Sequence, residues 1–188
     1  MHFLKFICTA LALSCAIHVS AQNNINLVKI GASTLSVLAE GQDQEAQHFV
    51  GGGMAFEHQL GKKTSLAFGA NFNTNEGARL EYNGVLIVER ITVLSFEPEF
   101  RWYPTSATKG FYLGFAPGIY WIAGVYSGPS AVPESDTRFI ASLKTGYQLS
   151  LSNRLKLQFG AGLGALFPTA DADPSAILHL NAMLGYKF

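Results

Sequence analysis

The sequence predicts an all-β protein: a closed antiparallel transmembrane β-barrel of about eight strands, with short turns at one end and longer loops at the other. Three observations predict it. Large apolar residues alternate with small or polar ones, with a period of two, in segment after segment. The connections between these segments alternate between short and long. Charged residues make up only 14% of the chain, against roughly 25% in a soluble protein, yet no segment after the N-terminus reads convincingly as a membrane-spanning helix.

Residues 1–21 read as a signal peptide rather than as part of the fold. Lys5 supplies the positive start, Phe6 to Leu13 the apolar stretch, and Val19-Ser20-Ala21 a small-residue cleavage site. Residues 22–188 then form a single barrel domain. A lipoprotein signal with Cys15 as the lipidated residue is the rival, but the leucine of Ala12-Leu13-Ser14 stands one place late for it. Both cysteines, Cys8 and Cys15, fall in this segment, so the mature chain has neither a disulfide nor a thiolate metal site. The 13 basic and 13 acidic residues balance, and losing Lys5 leaves a net charge of about −1. Such a chain carries no nucleic-acid signature.

The strands follow in order. Ile25 to Ala39 is the least regular segment and is expected to contain a bulge. In Phe49 to Leu60, Val50, Met54, Phe56 and Leu60 oppose Gly51, Gly53, Ala55, Glu57 and Gln59. In Thr64 to Thr74, Leu66, Phe68, Ala70 and Phe72 share one face. In Leu94 to Tyr103, Leu94, Phe96, Pro98, Phe100 and Trp102 oppose Ser95, Glu97, Glu99, Arg101 and Tyr103. Phe139 to Leu151 and Leu155 to Phe167 repeat the pattern, the latter setting Leu155, Leu157, Phe159, Leu163 and Phe167 against Lys156, Gln158 and three glycines. The last strand, Ala176 to Phe188, places Leu178, Leu180, Leu184, Tyr186 and Phe188 on one face and His179, Asn181 and Lys187 on the other.

Gly110 to Tyr126 is the test case. It is uncharged, and Gly110, Gly114 and Gly118 have the spacing of a helix-dimer motif. As a helix it would point bulky residues all round and carry Pro117 mid-span. As a strand it sorts Phe111, Leu113, Phe115, Ile119 and Trp121 from Tyr112, Gly114, Ala116, Gly118 and Tyr120. The strand is the better reading.

Gly61-Lys62-Lys63, Thr105 to Lys109 and Ser152-Asn153 are short connections. Gly41 to Gln47, Asn75 to Gly84, Ser127 to Asp136 and Pro168 to Pro174 are longer, and Asn83-Gly84 has the chemistry of a hairpin turn between long strands. Every aspartate (Asp43, Asp136, Asp171, Asp173) lies in a longer connection. This is the arrangement of periplasmic turns and external loops.

Alternation alone does not say which face is outside. A soluble lipocalin-like periplasmic carrier would turn its large apolar face inward and show a charged exterior. Here the smaller face is Gly, Ala, Ser, Asn and Gln with few charges, which suits a narrow lumen. The large face suits lipid, with Trp102, Tyr103, Tyr120 and Trp121 as interfacial anchors. A sheet in lipid must close to pair its backbone groups.

Three stretches together carry a resemblance: the signal segment, the run Phe96-Glu97-Pro98-Glu99-Phe100-Arg101-Trp102-Tyr103-Pro104 with Lys109-Gly110-Phe111-Tyr112-Leu113-Gly114, and the end Tyr186-Lys187-Phe188. They resemble the small outer-membrane β-barrel families of Gram-negative bacteria, including a family of uncharacterised outer-membrane β-barrel domain proteins. The resemblance implies placement in the cell outer membrane. It further implies insertion by the barrel assembly machinery, with Leu184, Tyr186 and Phe188 as the assembly signal. It transfers no catalytic residue.

Candidate chemistry is sparse. Glu97, Glu99 and Arg101 share the predicted lumen face on neighbouring rungs, and Glu57, Arg138, Lys144, Lys156, His179 and Lys187 are expected to join them. Paired carboxylates can do acid–base work when like charge raises one pKa. With both signs present in a lumen just wide enough for side chains, a structural charge network is the better reading. Lipid-modifying barrels carry Ser and His on the outer face. His58 reads as lipid-facing but lies near a periplasmic turn, and His48 is near the external rim with no adjacent serine in a recognisable motif. Asp171 and Asp173 are too few for a calcium site. Gly51-Gly52-Gly53 lacks the lysine and helix of a phosphate loop and reads as a tight or bulged strand. The expectation is a non-enzymatic, monomeric envelope barrel with a filled lumen, no catalytic or metal site and no cofactor. It contacts outer-membrane lipid and no nucleic acid, and it serves surface interaction or membrane integrity. A narrow channel or hydrophobic-ligand passage and an outer-leaflet lipid-modifying enzyme are the alternatives.

Overall fold

A computed structural model of the chain describes residues 25–38, 46–82, 85–127, 134–167 and 174–188. They form eight strands: β1 (Asn26–Leu38), β2 (Gln47–Gln59), β3 (Thr64–Tyr82), β4 (Val85–Trp102), β5 (Gly110–Ser127), β6 (Glu134–Ser150), β7 (Leu155–Phe167) and β8 (Ser175–Lys187). Each strand pairs with its neighbours in sequence, and β1 pairs with β8, closing the barrel. All pairings are antiparallel. Closure leaves no sheet edge unpaired, which is what a lipid environment demands.

The strands coincide with the alternating segments of the sequence, with three differences. No bulge interrupts β1, which holds one continuous register with both β2 and β8. The register shift lies instead between Glu76 and Arg79, where β3 pairs with β4. β3 and β4 run through most of the Asn75-to-Gly84 connection, to Tyr82 and Val85, and are the long strands expected to flank Asn83-Gly84. Asp136 belongs to β6 rather than to a connection. Gly51, Gly52 and Gly53 lie in unbroken β2, paired on both sides. At Gly31 an added Cβ would overlap the backbone of Ala182 and Met183 on β8, so glycine permits the close approach that closes the barrel there. The signal segment, Asp43, Asn83-Gly84, Asp171 and Asp173 lie outside the described residues.

The large face points outward. Ile30, Met54, Leu143 and Leu163 are between 59% and 70% exposed. They belong to a continuous exterior of Phe, Leu, Ile and Val, with Trp102, Phe111, Tyr147 and Tyr186 toward the end of the short turns and Trp121, Phe139 and Phe167 toward the end of the longer connections. A soluble barrel of the lipocalin kind would bury this face. Two of the expected interfacial anchors are not on it: Tyr103 and Tyr120 point into the lumen and are buried. Their hydroxyls find carboxylates there, which a lipid-facing position would not supply.

The lumen is filled in layers. At the turn end, Tyr103, Ala107 and Tyr112 pack together, the two rings 5.5 Å apart. The turn between β4 and β5 folds onto the β2–β3 turn, with Tyr103 N–H donating to Lys63 O at 2.7 Å and Ala107 N–H to Lys62 O at 2.8 Å. Thr108 adopts φ +63° in this turn. That conformation is costly for a β-branched residue, and its carbonyl is held by Gln148 Nε2. A charged layer comes next. Toward the loop end, Leu35, Phe49, Val93, Tyr120, Ile140, Leu166 and Ile177 form an apolar layer.

Candidate functional site: the internal charge network

The charged layer is built from inward positions of four strands. Lys29 of β1 forms an ion pair with Glu57 of β2. Arg101 of β4 bridges Glu57 at 3.0 Å and Glu99 at 2.7 Å. Lys144 of β6 pairs with Glu97 of β4 at 2.6 Å. All six side chains are buried, and the three cations match the three carboxylates, as burial requires.

Neutral groups complete the layer. Glu57 also accepts from Ser65 Oγ at 2.5 Å and from the Tyr103 hydroxyl at 2.7 Å. Burial, followed by the Glu57 charge, pushes the Tyr103 pKa up and keeps the hydroxyl a donor. Gln158 Oε1 accepts from both Lys29 and Arg101, while its Nε2 donates to the Tyr112 hydroxyl at 3.1 Å. Gln148 Oε1 accepts from Lys29 at 2.8 Å. The Arg101 guanidinium lies 4.6 Å from the centre of the Tyr112 ring, a cation–π contact.

Two glycines of β5 make room for the carboxylates. A Cβ on Gly114 would strike the Glu99 carboxyl, and one on Gly118 would come within 2.7 Å of Glu97 Cγ. The Gly110-Gly114-Gly118 series, which resembles a helix-packing motif, thus includes two gaps into which β4 projects its acids. Above them, Ala55, Asn71, Lys144, His179, Asn181 and Met183 border a residual space of ≈ 20 Å³ for the centre of a water, about enough for one ordered water. His179 Nδ1, Glu99 Oε1 and Arg101 Nε are buried without a protein hydrogen bond.

Of the nine residues expected in the network, Glu57, Glu97, Glu99, Arg101 and Lys144 are joined by ion pairs, and His179 lines the adjoining space. Arg138, Lys156 and Lys187 lie apart. Arg138 is half-buried toward the loop end and pairs with Asp136 at 2.6 Å. Lys156 is near the turn end, with its ammonium on Ser150 Oγ, and Lys187 is half-exposed in the last strand. Their positions on the strands, beyond the central rungs, remove them from the cluster. Lys29 is the residue sequence reasoning missed. It alternates correctly with Leu27, Gly31, Ser33 and Leu35, but an expected bulge in that segment left its side unassigned.

His58 lies on the outward side of β2, opposite in direction to Glu57, near the short-turn end as expected; its neighbours there cover it, with its Nδ1 2.7 Å from Asn26 Oδ1 on the paired strand. His48 does have a neighbouring serine: Ser36 Oγ of β1 is 2.9 Å from its Nδ1. The two are cross-strand partners, which sequence spacing does not reveal. The pair is exposed, near the loop end of the barrel. No cluster of three or more metal-ligating side chains occurs among the described residues.

Closed eight-stranded topology, an apolar exterior and a charge-filled lumen define the class: this is an eight-stranded β-barrel of the outer-membrane type. Solved barrels of that type share the fold. Ail, the attachment invasion locus protein of Yersinia pestis, superposes with a TM-score of 0.63 at 11% identity, covering 88% of this chain and 99% of that one. Neisserial surface protein A gives 0.60 at 8% identity, covering 87% and 97%. OprG of Pseudomonas aeruginosa gives 0.50 at 12% identity, covering 88% and 96%. The chain belongs to the family described as "Protein of unknown function (DUF3575)", whose model matches residues 44–174. No curated protein sequence matches it.

Proposed function

We propose that the protein is a non-enzymatic, non-conducting barrel of the bacterial outer membrane that acts through its outward-facing connections, in surface interaction or membrane integrity. The observation that carries this reading is the double closure of the lumen. The ionic layer and the apolar layer lie in series, and the space bordered by Asn71, Glu97, Lys144 and His179 holds about one water. Neither solute passage nor an internal active site fits that interior. The short turns face the periplasm and the longer connections face outside. The likeness to an attachment protein and a surface protein supports a role at the cell surface.

The test replaces residues 39–45 and 168–173 by Gly/Ser segments of equal length in a strain lacking the native copy. The expected result is a barrel that still migrates faster unheated than boiled, with adhesion or bile-salt resistance reduced to the level of the deletion strain. Full function with both segments replaced would overturn the reading, as would a change in lipid A mass on expression of the protein.

A further inference from the structure

Side-chain charge is unevenly divided along the barrel: basic residues line the short turns, whereas at the loop end acidic residues outnumber Arg79, Arg90 and Arg138. The three short turns contain no Asp or Glu. Those turns carry Lys62 and Lys63 between β2 and β3, Lys109 between β4 and β5, and Arg154 between β6 and β7. Lys187 stands beside them, where β8 meets β1. The segments 39–45 and 168–173, joining strands at the opposite end, hold Glu40, Asp43, Glu45, Asp171 and Asp173 and no Lys or Arg.

Lys62, Lys63, Lys109 and Arg154 are exposed, and among the described residues neither they nor Lys187 form an ion pair. Turns two strands apart place cations roughly 10 Å from one another around the rim. Arg154 shows their depth: its Nη1 donates to the hydroxyl of Tyr186 at 3.1 Å, and Tyr186 stands on the lipid-facing side of β8. Trp102, Phe111 and Tyr147 are exposed at the same end. Aromatic rings of this kind mark the interface, so the cations just beyond them sit at headgroup level.

From this we infer that the turn-end rim is a docking ring for anionic phospholipids of the inner leaflet, with Lys62, Lys63, Lys109 and Arg154 receiving the headgroup phosphates. The inference rests on the outer-membrane orientation proposed above. Unpaired cations at headgroup depth attract anionic lipid through screened Coulomb forces. Opposite charge at the two ends also makes the inserted orientation the one that matches an anionic inner leaflet. A soluble acidic partner would need no aromatic belt directly beside the charges, and the hydrogen bond to Tyr186 ties one cation to that belt.

The test uses the folded protein in phosphatidylcholine nanodiscs doped with spin-labelled phosphatidylglycerol or phosphatidylcholine. The readout is the relative association of the two labels with the barrel surface. The wild-type protein should favour phosphatidylglycerol by about threefold, and the preference should fade at about 1 M salt, where the screening length is about 3 Å. The quadruple variant Lys62→Gln/Lys63→Gln/Lys109→Gln/Arg154→Gln should show no preference. The charge-preserving variant Lys62→Arg/Lys63→Arg/Lys109→Arg should keep it, and heat-modifiable migration verifies that each variant is folded. Equal association of both lipids with the wild type would overturn the inference, as would a preference unchanged in the quadruple variant. Rim-dependent sedimentation with purified peptidoglycan, without lipid preference, would overturn it in favour of a cell-wall partner. Loss of the anionic-lipid preference leaves the filled-lumen reading intact, so the two fail separately.

Discussion

Replacing Arg101 by leucine removes the hub of the charged layer. Arg101 pairs with Glu57 at 3.0 Å and Glu99 at 2.7 Å, donates to Gln158 Oε1 at 2.8 Å and stacks on the Tyr112 ring. Glu57 would survive the change, because Lys29, Ser65 and Tyr103 remain on it. Glu99 would not: Arg101 is its ion-pair partner, and its other oxygen is already without a protein hydrogen bond. Stranding a buried carboxylate costs about 3–5 kcal/mol, with the lost ring contact inside that range. Urea unfolding from lipid vesicles, followed by the fluorescence of the two tryptophans, Trp102 and Trp121, measures it. The double variant Arg101→Leu/Glu99→Leu should recover at least half of the loss, since an apolar pair leaves no orphaned charge. A single-variant loss under about 1 kcal/mol, or a double variant no more stable than the single, would refute the reasoning.

Further outcomes follow from other parts of the barrel. Gly114→Val should destabilise by about 1–3 kcal/mol through overpacking against Glu99. Gly162→Ala, whose new Cβ meets the flexible Lys144 side chain, should cost under about 1 kcal/mol in the same unfolding assay. Leu143→Lys, on the lipid face, should cost about 2–4 kcal/mol in a bilayer; equal stability of this variant and wild type would contradict the outward assignment. Thr108→Gly should raise stability by about 1 kcal/mol by relieving the positive φ, read as a shift in the urea midpoint.

Strand identity and the sidedness of each strand were legible because period-two alternation acts at every residue. Leu94, Phe96, Phe100 and Trp102 turn out and Glu97, Glu99 and Arg101 turn in by the same rule. Relations between strands were not legible. Which inward residues meet depends on register, and a strand sequence carries no record of its partner's offset. So Glu97 and Glu99, though two residues apart, divide between different cations, Lys144 and Arg101. The same limit hid Ser36 beside His48. Lys29 was hidden differently: Ala32, Thr34 and Ser36 soften the contrast between the faces of β1, so an unbroken strand resembles a bulged one. Tyr103 and Tyr120 show the opposite fault: alternation already sorts them with the lumen face, and their aromatic character alone suggested a lipid interface.

Conductance in a planar bilayer tests the central claim, a lumen closed in series by ionic and apolar layers, most directly. The purified, folded barrel should give no discrete current steps. Steady single-channel currents from the wild-type protein, altered in amplitude by Glu97→Gln, would show that ions pass through the charged layer and would contradict it.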